Sequence, residues 1–139
     1  MKLPERLPGL RLATILLAVY GVVWIAPEGS LTGVLTMGVG TTAVSLGHLV
    51  QRRWGGRPLS LRRWLVLATG GGALLGLGAV LLSLIFMAVK TGLHSHGPEF
   101  TPAEIAWLWG QLPLWLPIGA LVGLGLGMLL AAATNQNGR

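Results

Sequence analysis

From Trp64 to Val89 the chain carries no Asp, Glu, Lys or Arg. A bilayer's hydrocarbon core takes about 20 apolar residues of helix to cross. A single charge at the centre of such a helix costs on the order of 2.5–3.5 kcal/mol on insertion scales. A run of this length without charge therefore reads as a transmembrane helix. Three further runs share the pattern: Leu10 to Ala26, with Arg11 at its edge, Leu31 to Val50, and Pro113 to Ala133. Only 10% of the 139 residues are charged, against about a quarter in soluble domains. The expected fold is an all-α integral membrane protein, one domain over residues 1–139, with four transmembrane helices in two hairpins.

The first run also has the basic start and apolar centre of a signal peptide. Cleavage after Ala26 would need a small residue at the third position before the cut, and Trp24 stands there. The run is read as a retained span.

Orientation follows from Lys and Arg in the short loops, which favour the cytoplasmic side. One side carries Lys2, Arg6, Arg11, Arg52, Arg53, Arg57, Arg62, Arg63 and Arg139, and the other carries Lys90. Glu28, Glu99 and Glu104 fall on the Lys90 side. Both termini are expected in the cytoplasm and the chain in the plasma membrane. Tryptophan favours the membrane–water boundary. Trp24, Trp107, Trp109 and Trp115 fall at the outer boundary, Trp54 and Trp64 at the inner one.

Lipid supplies no hydrophobic drive between helices, so small residues that let backbones approach take over. Gly119, Gly123 and Gly127 recur at four-residue spacing in the last span, Gly72 and Gly76 in the third, and Ala43 with Gly47 in the second. These faces suit packing within one chain or against another subunit. Gly38-Val39-Gly40-Thr41-Thr42-Ala43 matches a dinucleotide fingerprint literally. That motif needs a strand before it and a helix after it, and here it falls inside a span.

The loop from Arg52 to Arg63 holds five arginines. Arg52, Arg53, Arg57, Arg62 and Arg63 can fix topology, and they can also meet anionic lipid head groups. The net charge of +6 sits at helix ends rather than on a recognition element, which argues against nucleic acid as a partner. In the outer loop, Thr101 and Glu104 form a T-x-x-E capping box with Pro102 at the first helical position. A short interfacial helix is expected over about 102–111, with Pro117 kinking or restarting the chain beyond it.

His94, His96 and Glu99 are the one cluster with metal-ligand character. Residues two apart in extended chain point the same way, and imidazole with carboxylate suits zinc, copper or nickel. A plain surface loop is the alternative. His48 shares a helix face with Thr41 and Ser45 near the inner end of the second span. It reads as a buried polar group bonded across helices; a haem ligand would need a second buried histidine. There is no cysteine, no arguable Ser/His/Asp set and no carboxylate pair in a span. The expectation is a non-enzyme without a required cofactor: a structural or accessory subunit of a membrane complex, or a homo-oligomer. The rival is a protein handling a metal ion or small solute through the outer histidine loop. The orientation has a direct test: a cysteine placed at Gly56 should react with an impermeant maleimide only after cells are permeabilised, and labelling of intact cells would contradict it.

Overall fold

The computed structural model describes residues 2–27, 29–93 and 97–136. Its elements are five helices: α1 (Leu10–Ile25), α2 (Leu31–Trp54), α3 (Leu61–Leu93), α4 (Pro102–Gly110) and α5 (Leu112–Gln136). No strand forms among the described residues, where an isolated bridge joins Lys2 and Pro58. Three helices, α2, α3 and α5, are long and apolar enough to cross a membrane. At 16 residues, α1 measures roughly 24 Å at the usual helical rise, short of the ~30 Å hydrocarbon core.

The helix ends follow local chemistry. Ser30 caps α2 by accepting from the Gly33 N–H at 3.1 Å. The chain turns after α2 at Gly56, whose φ of +74° lies in the left-handed region that glycine enters without a Cβ penalty. Ser60 accepts from the Arg63 N–H at the start of α3. At α4 the capping box forms in full: the Thr101 hydroxyl accepts from the Glu104 N–H, and the Glu104 carboxylate accepts from the Thr101 N–H at 2.8 Å. Gln111 alone separates α4 from α5. Pro117 lies inside α5 without ending it, so of the kink or restart expected there the restart does not occur.

Contacts order the helices α1, α2, α3, α5, each antiparallel to the one before. Gly40 meets Leu17 and Gly47 meets Leu10 between α2 and α1. Gly38 lies on Ala79 and Ser83, and Gly78 on Thr42, between α2 and α3. The fingerprint-like glycines Gly38 and Gly40 are thus helical residues, one turned to α3 and the other to α1. The most extensive packing joins α3 to α5. There Gly72 meets the Gly119 carbonyl, Gly76 the Trp115 carbonyl, and Gly123 the Ala68 carbonyl. A methyl at any of these positions would overlap backbone.

The few polar groups within the helices tie neighbours together. Ser83 is fully buried and donates to the Ala79 carbonyl at 2.7 Å and to the Val34 carbonyl of α2 at 3.2 Å. The Trp64 indole donates to the Gly127 carbonyl at 2.8 Å. His48 Nε2 and the Thr14 hydroxyl are 2.9 Å apart across α1 and α2. Each such bond contributes about 0.6 kcal/mol on average within lipid.

Side-chain burial is concentrated at the Lys90 end, where Trp24, Val34, Met37, Val80, Met87, Phe100 and Leu108 form one cluster. Trp24 and Phe86 meet edge to face at 5.8 Å between centroids. At the other end the segment before α1 lies on the α2–α3 loop. The Gly56 N–H donates to the Leu3 carbonyl, the Leu7 N–H donates to Gln51 Oε1, and Leu3 and Leu59 are buried.

Candidate functional site

One end of the bundle is built around Lys90, which the sequence alone assigns to the loop beyond the third span. It lies instead within α3, which continues to Leu93, and its side chain is fully buried. Its ammonium donates to the Trp24 and Pro27 carbonyls at 2.6 Å each and reaches the Ile25 carbonyl at 3.5 Å. It also sits 4.6 Å from the centre of a Trp24 ring. The last carbonyls of any helix lack partners within the helix. A lysine reaching from α3 satisfies those carbonyls, complements the negative end of the α1 dipole and stacks as a cation on the indole face.

Beside this lock, Gly29 leaves room for Glu99 and Phe100, because a Cβ there would meet Glu99 Oε2 and the Phe100 ring. Glu99 is half-buried against the α1–α2 connection. His94 and His96, proposed to share a metal with it, lie outside the described residues, as do Glu28 and Arg139. Among the described residues, no three His, Cys, Asp or Glu side chains are grouped to hold a metal.

Glu104 is held below the ordinary glutamate pKa, chiefly by the Thr101 backbone N–H and next by the Thr101 hydroxyl. Bonds to the charged form favour it. A carboxyl with a depressed pKa stabilises its helix above the unfolded-state value. The contribution is lost as pH falls through the folded-state value, so the α4 cap holds at neutral pH and weakens only in acid.

His48 is half-buried and engaged with Thr14; Ser45, on the same face, is exposed. The glycines of the third and last spans face one another along α3 and α5. Gly127 completes the row, packed on Ala68 and the Trp64 indole. Where α2 and α5 both lean on α3, an apolar furrow remains, floored by Ala68, Gly72 and Leu75 and walled by Gly47, Gly119 and Gly123.

The opposite end gathers the arginines. Arg52, Arg53 and Arg57 are exposed at the end of α2 and the turn after it, and Arg62 and Arg63 are exposed in the first turn of α3. A recess opens beside the last two, lined by Trp54, Ser60, Arg62, Arg63, Val66 and Leu67. Neither the Lys90 lock nor this recess was found from sequence. A lone basic residue closing an uncharged run was the available signal for the first. The second depends on how the loop folds back, which no spacing rule reports.

Replacing Lys90 with Met keeps the bulk and removes the donors. The variant should lose about 2 kcal/mol of stability, the scale of bonds to a charged group, read as a lower unfolding midpoint in a fixed detergent. Amide exchange at residues 24–27 should rise while that of α3 and α5 holds; unchanged exchange at those residues would contradict the lock.

Comparison of the chain with protein-family models, with curated proteins and with solved structures gives no match, so the site is read from its geometry.

Proposed function

We propose that this chain is a small four-span membrane protein with a structural role, an accessory subunit of a membrane assembly or a protomer of a homo-oligomer, with both termini in the cytoplasm. The observation that carries the reading is α5. Only 6% of its apolar stretch is buried, against 28% for α2 and for α3. It leans on α3 by its glycine face and leaves Leu121, Leu126 and Leu129 bare, and Gly125 opens onto empty space. Four polar groups within the bundle are committed: Ser83 and Thr42 to backbone carbonyls, His48 to Thr14, Lys90 to the end of α1.

The fourth span is supported by the outer face of α1. Ile15, Val19, Val22 and Val23 are exposed along it, a surface that water would penalise and lipid would not. The helix is short, and the Lys90 lock offsets that by supplying donors where its carbonyls end. Two hairpins, α1 with α2 and α3 with α5, are the reading that agrees with the N-terminal segment lying on the α2–α3 loop at the basic end. Both are then cytoplasmic by the distribution of Lys and Arg.

The mass and composition of the particle after gentle detergent extraction test the role. Co-purification at fixed ratio with larger proteins, or a homo-oligomer of defined size, is the expected result. A monomer that retains neither partner nor second copy would overturn it.

A further inference from the structure

We propose that the recess at the start of α3 binds the phosphate of an anionic phospholipid of the inner leaflet, with one acyl chain lying along the adjoining face of α3. The recess combines two chemistries. Arg62, Arg63 and Ser60 supply donors, while Val66 and Leu67 form an apolar wall. Neither guanidinium has a hydrogen-bond or ion-pair partner among the described residues. A guanidinium matches phosphate oxygens in a fork. Ser60 accepts from the Arg63 N–H, which leaves its own proton to donate. The Trp54 indole closes one side, at the depth where Trp meets head groups and the first carbons of the chains.

The apolar wall continues into the membrane. Arg62, Val66, Gly70 and Leu74 are each four residues apart and so share one face of α3. Val66 and Leu74 are 64% and 50% exposed, and the space beside Gly70 is open. A cationic end joined to a bare apolar track is the complement of one anionic lipid. A soluble anion would use only the first part, and a neutral lipid only the second. The other arginines of this loop lie apart from it: Arg52 and Arg53 close α2 outside the recess, and Arg57 lies in the turn. The inference rests on α3 lying in a bilayer and is independent of which proteins accompany the chain.

The full chain, reconstituted in vesicles of equal phosphatidylcholine and phosphatidylglycerol and released into gentle detergent, can be examined by native mass spectrometry. Phosphatidylglycerol should be retained over phosphatidylcholine by roughly thirtyfold, the order expected of two basic residues near a surface. R62Q/R63Q should bring the ratio near parity, and R52Q/R53Q should leave it intact. Gly70→Leu, whose Cβ would meet nothing in the fold, should lower retention of the long-chain lipid while sparing a six-carbon analogue. Equal losses in the two arginine pairs would overturn the proposal, since diffuse charge would then suffice. Displacement of the lipid by millimolar inorganic phosphate would also overturn it, because the chain would contribute nothing.

Discussion

Two neighbouring backbones lie against α3, and every other feature of the bundle is arranged around that crowding. On one side Gly38 of α2 rests on Ala79 and Ser83. On another, Gly119 and Gly123 of α5 rest on Gly72 and Ala68. In lipid, apolar side chains gain nothing by leaving the solvent for each other, so attraction must come from dispersion at short range and from hydrogen bonds. Removing the side chains at the contact brings many backbone atoms within range at once. It also lets Ser83 and Trp64 reach carbonyls of the facing helices. Glycine is a poor helix former in water, and its abundance here is tolerated because a helix in lipid has no alternative partner for its backbone.

The two ends of the molecule solve different problems. At the Lys90 end a short helix leaves carbonyls exposed, and Lys90 reaches across from α3 to meet them. The long α3 makes this geometry available: its 33 residues exceed the bilayer core by several turns, so it carries donors past the end of its neighbour. At the arginine-rich end Arg52, Arg53, Arg57, Arg62 and Arg63 are left exposed. The segment before α1 is pinned to the α2–α3 loop through Leu3 and Gly56, which collects the basic residues in one region and leaves Arg62 and Arg63 facing outward.

Much of this was legible in the sequence, for particular reasons. Uncharged length announced α2, α3 and α5, because the cost of a charge in hydrocarbon is steep. The T-x-x-E box announced α4 to within a residue, because both its bonds are local. The position of Lys90 was not legible. Counting basic residues by side treats a lysine beyond a span as loop, whereas helical geometry continues as long as its backbone is satisfied. Nor could glycine spacing name its partner, since the same face suits a neighbour in the chain or one from another copy. The folding of residues 2–9 onto the 55–59 loop left no periodic trace, and the recess beside Arg62 exists only because of that loop's path.

The pairing of α3 with α5 inside one chain is the claim on which the rest depends, and a disulfide tests it most directly in a protein that has no native cysteine. A Cβ at Gly127 would lie 2.7 Å from the Ala68 Cβ, so small shifts reach the ~3.8 Å separation of a disulfide. With Ala68→Cys and Gly127→Cys together, mild oxidation in the membrane should consume both thiols and leave a single-chain band on a non-reducing gel. A cross-linked dimer, or two thiols that remain free, would contradict the account.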